Sequence, residues 1–200
     1  VTEPEPAVKG RLALVVGHTR LFPGAYGIGA LAKYEYYFNN ILAGEIVGIS
    51  SKRGITAKTF LRDIGGVKTA YTNAMKWGAD AVVELHFNST RRRIDKVRGT
   101  EMLSAGGSKV GSYQLAQALQ KTHLKVLERP DSQNRGVKNL RLRKKYAVPA
   151  VLTEPVFGNN IYDARLLAER RSKVAEATVD GFIEFQKLKL KPQDERPKPS

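Results

Sequence analysis

Short apolar runs alternate with longer segments of helical periodicity along this chain, and this order constrains the fold more than any other feature. Strands that alternate with helices are typical of parallel β pairing with helices on both faces of the sheet. The sequence therefore predicts an α/β fold. Strands are predicted at residues 11–16, 45–50, 79–87, 99–104 and 146–153, and helices at residues 29–43, 56–77, 108 or 112 to 128, and 163–188, the last capped by Asp163.

The length and apolar content fit one globular domain. The chain has 200 residues, of which 42% are hydrophobic, and the domain is predicted to span residues 10–188. Residues 1–9 form a predicted extension, and the basic, proline-rich residues 189–200 a flexible tail. Residues 1–6 contain Glu3 and Glu5 and no apolar segment, so they are not predicted to be a signal peptide, and the first residue is Val, which fits a processed form or a fragment. No run approaches the roughly 20 apolar residues of a membrane span.

The chain is strongly basic, with a formal net charge of +15 and a pI of about 10.1. Such a field attracts polyanions, which include nucleic acid, anionic cell wall and membrane surfaces. Part of the charge is clustered in residues 91–98 and 141–145, which are either solvated loops or binding loops. Aromatic residues do not interleave with either cluster, so no nucleic-acid partner is expected.

The chain lacks cysteine, so any metal must be held by His, Asp or Glu. His18 follows the first predicted strand, and His86 and Glu154 lie at the ends of two others. Because ligands bind at the carboxyl ends of parallel strands, these three residues are predicted to share one edge of the sheet. The remaining histidine, His123, lies within a predicted helix among surface charges and is interpreted as solvated.

Glu35, on the helix after the first strand, could lean toward the same edge. Two histidines and one carboxylate are a common catalytic zinc set that leaves a position for water, whose pKa the metal lowers to about 7. A second carboxylate can then transfer the proton. In the alternative interpretation, no metal is bound: the histidines after the strands are hydrogen-bonded loop residues, and Glu154 caps a helix or forms a salt bridge.

Several short segments form a further pattern by their order and spacing. They are Gly17-His18 with Pro23-Gly24-Ala25, Glu35, Asn73, residues 79–89 ending in His86-Phe87-Asn88, Arg98-Gly99-Thr100-Glu101, Arg135-Gly136-Val137-Lys138, and Glu154 with Phe157, Asn160 and Asp163. Over residues 11–186 they resemble the N-acetylmuramoyl-L-alanine amidase type 3 family, which occurs in bacterial cell-wall hydrolases and phage endolysins.

The resemblance implies a twisted, mostly parallel sheet flanked by helices. It implies Zn²⁺ held by His18, Glu35 and His86, with Glu154 as the catalytic residue. The implied reaction cleaves the amide bond between N-acetylmuramic acid and L-alanine in peptidoglycan. The protein is therefore expected to act on the bacterial cell wall, either as a remodelling enzyme or as a lytic enzyme such as a phage endolysin. The basic loops would hold anionic wall polymer, and a monomer is expected.

The chain departs from the family pattern around these residues. Val15 and Val156 replace an acidic residue and a glycine, Thr19-Arg20 replaces a glycine pair, and Glu84 replaces a small residue, often serine. These departures leave the substrate preference open. Arg20, Asn88 and Arg135 are predicted substrate-binding residues.

Two other functions fit parts of the pattern. A zinc carboxypeptidase or another amidohydrolase would keep the metal and change the substrate. A non-enzymatic basic module would bind polyanions in a salt-dependent manner and hold no zinc.

Overall fold

The computed structural model describes residues 8–91, 96–105, 110–130, 133–140 and 146–190. Four predicted features lie wholly or partly outside the described residues: residues 1–7 of the N-terminal extension, residues 92–95 of the first basic cluster, the whole second cluster at 141–145, and residues 191–200 of the tail. The elements are β1 (Arg11–Val16), β2 (Tyr26–Gly27), β3 (Lys33–Tyr34), α1 (Glu35–Lys52), β4 (Thr56–Phe60), α2 (Gly66–Lys76), β5 (Ala81–Leu85), β6 (Thr100–Ser104), α3 (Val110–Leu127), β7 (Asn134–Asn139), β8 (Ala150–Glu154) and α4 (Ile161–Leu190).

Six strands form one sheet in the order β4-β1-β5-β8-β6-β7, and β2 pairs with β3 in a separate hairpin. All neighbours in the sheet are parallel except β6 and β8, which run antiparallel. The predicted mostly parallel sheet is therefore confirmed. Strands β1, β5 and β8 lie side by side at its centre, which places their carboxyl ends in a row.

Both faces of the sheet are covered, as the alternation of elements predicts. One face packs against α1, α3 and α4 through a large apolar cluster that includes Leu12, Leu14 and Val16 of β1. The other face packs against α2 through a smaller cluster that includes Ala13 and Val15. Successive side chains of a strand point to opposite faces, so a strand covered on both faces is apolar along its buried length, as β1 is from Leu12 to Val16.

Two of the predicted boundaries on the N-terminal half are wrong. Residues 45–50 are not a strand: they continue α1, because Leu42, Ile46 and Ser50 repeat every four residues and are buried on one helix face. Residues 56–77 are not one helix. They divide into β4 and α2, because Gly65 and Gly66 adopt φ values of 75° and 62°, which end regular structure.

Two further details differ from the sequence prediction. The predicted loop at residues 129–145 contains β7, which pairs with β6 at the edge of the sheet. Helix α4 begins at Ile161, and its cap is Asn160 instead of Asp163: Asn160 Oδ1 accepts hydrogen bonds from the backbone N–H groups of Tyr162 and Asp163. No helix in the described ranges is both long enough and apolar enough to cross a bilayer.

His123 is buried, so the prediction of a solvated position is wrong. Only 1% of its surface is exposed. Its Nδ1 donates a hydrogen bond to the backbone oxygen of Leu119 at 2.8 Å, and its Nε2 lies 3.4 Å from the hydroxyl of Thr178 on α4. Burial lowers the pKa of His123 to about 4, although the bond to Leu119 opposes this shift.

This burial predicts an acid-sensitive contribution to stability. Because the folded chain keeps His123 neutral while the unfolded chain protonates it below the ordinary pKa of 6.5, stability is lost as the pH falls from 6.5 toward 4. Between about pH 7 and pH 4.5, the wild type should lose about 2–3 kcal/mol more unfolding free energy than the His123→Gln variant. Urea titrations of both proteins test this, and equal losses would show that His123 titrates normally.

Candidate active site

The carboxyl ends of the three central strands bring the predicted site residues together. His18 follows β1, His86 follows β5, and Glu154 ends β8. The backbone N–H of His86 donates to the oxygen of Thr153, so β5 and β8 remain paired up to the site. The shared edge predicted from sequence therefore arises from parallel pairing of neighbouring strands.

Glu35 bridges the two histidines at this edge. Its Oε2 lies 3.1 Å from Nε2 of His18, and its Oε1 lies 2.7 Å from Nδ1 of His86. The first turn of α1 is anchored at this position. The backbone N–H groups of Glu35 and Tyr36 donate hydrogen bonds to the backbone oxygens of Ala25 and Pro23. The loop after His18 therefore holds the first turn of α1 against the strand ends.

Two glycines make room for this cluster. A Cβ atom at Gly17 would lie 2.4 Å from Cε1 of His86, and one at Gly24 would lie 2.6 Å from Cδ2 of His18 and 2.8 Å from Oε2 of Glu35. Gly24 also has a φ of 80°, and His18 itself has a φ of 64°, which is uncommon for a residue with a side chain. Strain of this kind concentrates at functional sites.

His18, Glu35 and His86 are the one group of three or more metal-binding side chains in the described ranges whose ligand atoms converge, lying within 4.8 Å of one another. Burial raises the pKa of Glu35, but the hydrogen bonds with His18 and His86 outweigh it and lower the pKa to about 2. A carboxylate with a lowered pKa, placed between two imidazoles, is the type of donor set that catalytic zinc uses. The residues present therefore fit a zinc ion.

Glu154 lies beside this group, next to His86 and to the carboxylates of Glu35, Glu84 and Glu101. Its Oε2 is buried without a hydrogen-bond partner. Burial raises the pKa of Glu154 to about 8; His86 opposes the shift, and Glu35, Glu101 and Glu84 add to it. A carboxyl group with a raised pKa and a free oxygen is suited to exchanging a proton near neutral pH.

Glu101 faces Glu154 across the antiparallel pair of β6 and β8. Like charges placed opposite each other are unfavourable, and three donors offset the charge of Glu101. Asn88 Nδ2 donates to its Oε1 at 2.7 Å, while Arg135 Nε donates to its Oε2 at 3.1 Å and Lys138 Nζ donates to the same oxygen. Burial raises the pKa of Glu101, but the contacts with Lys138 and Arg135 outweigh this effect and lower the pKa.

The three predicted substrate-binding residues therefore differ in their surroundings. The side chain of Asn88 is engaged within the protein, because its Nδ2 binds Glu101 and its Oδ1 accepts from the backbone of Ser89. Arg135 is partly exposed, and its guanidinium lies 5.0 Å from the centre of the Phe157 ring. Arg20 is exposed on the loop after His18.

Arg20 belongs to a contact that sequence reasoning missed. Its backbone N–H donates to Oδ1 of Asp63 at 2.7 Å, and the hydroxyl of Tyr36 donates to Oδ2 of the same residue at 2.7 Å. Asp63 thereby joins the loop after β1 to the segment after β4. A single exposed aspartate in a loop gives no sequence signal for such a role.

Asp163 is a second residue whose role the sequence did not reveal. Its Oδ2 accepts hydrogen bonds from the backbone N–H groups of Gly99 and Phe157, and its Oδ1 lies 2.7 Å from Nη1 of Arg129. Both side chains of this ion pair are almost fully buried. Asp163 thus fixes the segment after Glu154 to the segment before β6, and its spacing from Glu154 was the available signal.

A family comparison agrees with this geometry. The family model described as N-acetylmuramoyl-L-alanine amidase matches residues 12–184. The chain belongs to this family. The predicted family and enzyme class are confirmed, and the chain is an amidase that acts on peptidoglycan instead of a non-enzymatic polyanion-binding module. No curated protein matches the chain.

Solved structures share the fold of this amidase domain. The catalytic domain of CwlV from Bacillus (Paenibacillus) polymyxa var. colistinus has 22% identity and a TM-score of 0.74, with coverage of 88% of this chain and 97% of that one. AmiC2 of Nostoc punctiforme has 24% identity and a TM-score of 0.75 with the same coverage. An amidase from Clostridium difficile 630 has 22% identity and a TM-score of 0.76, covering 89% and 97%.

Proposed function

We propose that this chain is a zinc-dependent amidase that hydrolyses the bond between the lactyl carbonyl of N-acetylmuramic acid and the nitrogen of L-alanine. The observation that carries the proposal is the convergence of His18, Glu35 and His86 beside the buried carboxyl of Glu154. The first three would hold the zinc ion. When bound there, zinc supplies a Lewis acid that makes water nucleophilic at neutral pH and polarises the carbonyl.

Glu154 is the proton carrier in this proposal. Its unpartnered oxygen accepts a proton from the attacking water, and the carboxyl then gives this proton to the departing alanine nitrogen. The oxygen of water ends on the lactyl carbonyl carbon, and the peptide leaves with a free amino group. Burial and the neighbouring carboxylates raise the pKa of Glu154 toward neutral pH, where a carboxyl group can both accept and donate a proton.

Cationic side chains beside the site would hold the anionic part of the substrate. Arg135 and Lys138 lie on β7 with part of each side chain exposed, and both are held by Glu101 next to Glu154. A carboxylate of the stem peptide is a suitable partner for them. Arg20 is exposed on the loop after His18 and is a further candidate. Asn88 acts by orienting Glu101.

The exposed basic residues near this edge fit an anionic cell-wall polymer. Arg91, Lys96 and Arg98 are exposed and precede Gly99, which is joined to the site loops through Asp163. The protein is thus proposed to act at the bacterial cell wall, in the manner of either a wall-remodelling enzyme or an endolysin.

Analysis of digested peptidoglycan tests the proposal. We expect mass spectrometry to find peptides with a free L-alanine amino terminus and glycan strands with unsubstituted lactyl groups. A chelator should abolish this release, and added zinc should restore it. Release of single C-terminal residues would favour the carboxypeptidase alternative, and release that chelators do not affect would contradict the role of zinc.

A further inference from the structure

A buried carboxylate lies next to His86 and is neither a metal ligand nor the proton carrier in the proposed reaction. Glu84 is on β5, two residues before His86, and none of its side chain is exposed. Its Oε1 accepts a hydrogen bond from Nη1 of Arg62 at 3.1 Å, and its Oε2 accepts one from the hydroxyl of Tyr71 at 2.9 Å. A buried charge is tolerated only when it is paired and hydrogen-bonded. The bonds from Arg62 and Tyr71 meet this requirement, and they hold both carboxylate oxygens of Glu84 in place.

Glu84 also contacts the ring of His86, so this ring has a carboxylate at each nitrogen. Nδ1 lies 2.7 Å from Oε1 of Glu35, and Nε2 lies 3.1 Å from Oε1 of Glu84. The ring nitrogen that binds a metal carries no proton. Which of the two nitrogens binds the metal is set by the hydrogen bond that the other nitrogen donates. Without a metal, each nitrogen faces a carboxylate acceptor. With a metal held between Nδ1 and Glu35, the fixed acceptor opposite Nε2 would keep the remaining proton there and leave Nδ1 unprotonated for the metal.

We propose that Glu84 is a positioning residue. It holds His86 in the tautomer whose unprotonated Nδ1 faces His18 and Glu35 and can bind the metal. A carboxylate that accepts a hydrogen bond from a metal-binding histidine fixes the ring and increases its affinity for the metal. The inference rests on the proposed function, because it assumes that His86 binds zinc.

The support for Glu84 comes from the α2 side of the sheet. Tyr71 lies on α2 and stacks on Tyr146 with ring centres 4.4 Å apart, and Arg62 lies in the segment between β4 and α2. The positive charge of Arg62 balances the negative charge of Glu84, so this further carboxylate lies near the metal group without adding net charge. Helix α2 therefore contributes to the site although none of its residues is a predicted ligand.

Zinc titration of the metal-free protein tests the positioning role directly. Competition with a chromogenic chelator gives the zinc affinity of the wild type, Glu84→Gln and Tyr71→Phe. We expect Glu84→Gln to bind zinc about 10–100-fold more weakly, and Tyr71→Phe to shift the affinity in the same direction by less. Glu45→Gln is the matched control, because Glu45 pairs with Arg171 away from the site and should leave the affinity unchanged.

A spectroscopic readout separates positioning from a general effect on folding. In the zinc-loaded wild type, ¹⁵N NMR of His86 should show the proton on Nε2, and Glu84→Gln should weaken this preference. If Glu84→Gln fails to fold, the affinity of Tyr71→Phe decides. Wild-type affinity in the folded variants would overturn the positioning role while leaving the proposed function intact. A wild type that binds no zinc would instead overturn the proposed function.

Discussion

Glu154→Gln should lose nearly all amidase activity while keeping its fold and its zinc. Glutamine has the shape of glutamate but cannot accept a proton, and loss of a positioned acid–base group lowers the rate about 10²–10⁴-fold. The substitution also removes a carboxylate whose ionisation is opposed by burial and by Glu35, Glu101 and Glu84. We therefore expect the variant to be at least as stable as the wild type at neutral pH.

Three measurements on the same preparations check this prediction: the rate of peptide release from peptidoglycan, the zinc content, and the melting temperature. Glu169→Gln is the matched control, because Glu169 is exposed on α4 and pairs with Arg165. This control should match the wild type in all three. A Glu154→Gln enzyme with wild-type activity would remove Glu154 from proton transfer, and one without zinc would place its role in metal binding.

The alternation of elements was sufficient to predict the α/β fold, but not each local structure. Residues 45–50 contain Ile46, Val47 and Ile49, which favour strands by intrinsic propensity. They are helical because their buried side chains continue the face of α1 that packs on the sheet and on α4. Tertiary packing of this kind overrides local propensity, and a single sequence does not reveal it.

The antiparallel placement of β6 was also beyond the sequence. A run of residues predicts a strand but carries no direction relative to its neighbours, and a sheet built only from alternating elements would be entirely parallel. The reversal has a consequence for the site, because it places Glu101 opposite Glu154. Arg135 and Lys138, which pair with Glu101, therefore lie on the strand next to Glu101 and close to Glu154, the proposed proton carrier.

The part of the candidate site that lies at strand ends was predictable from the sequence. His18, His86 and Glu154 follow three strands that proved to be neighbours, so their meeting follows from the order of the sheet. Glu35 depended on the family resemblance, since its position requires α1 to begin at that residue. The network of Glu84 was not predictable, because Arg62 and Tyr71 come from elements whose boundaries the sequence placed incorrectly.

His86→Ala should abolish zinc binding and, with it, activity. The substitution removes the imidazole that lies between Glu35 and Glu84, leaving His18 and Glu35 as the remaining candidate ligands. A ligand that binds only the folded state stabilises it by mass action. Zinc at a free concentration about 1,000-fold above its dissociation constant should stabilise the wild type by about 4 kcal/mol, and the variant by far less.

Denaturant unfolding with and without zinc measures this difference, and His123→Gln supplies the control. His123 is also a buried histidine, but it packs between α3 and α4 through Leu119 and Thr178, away from the strand ends. The control should therefore keep the full zinc-dependent stabilisation, even if its stability without zinc is lower. Equal stabilisation of the wild type and His86→Ala by zinc would place the metal elsewhere on the chain and would contradict the assignment of His86 as a ligand.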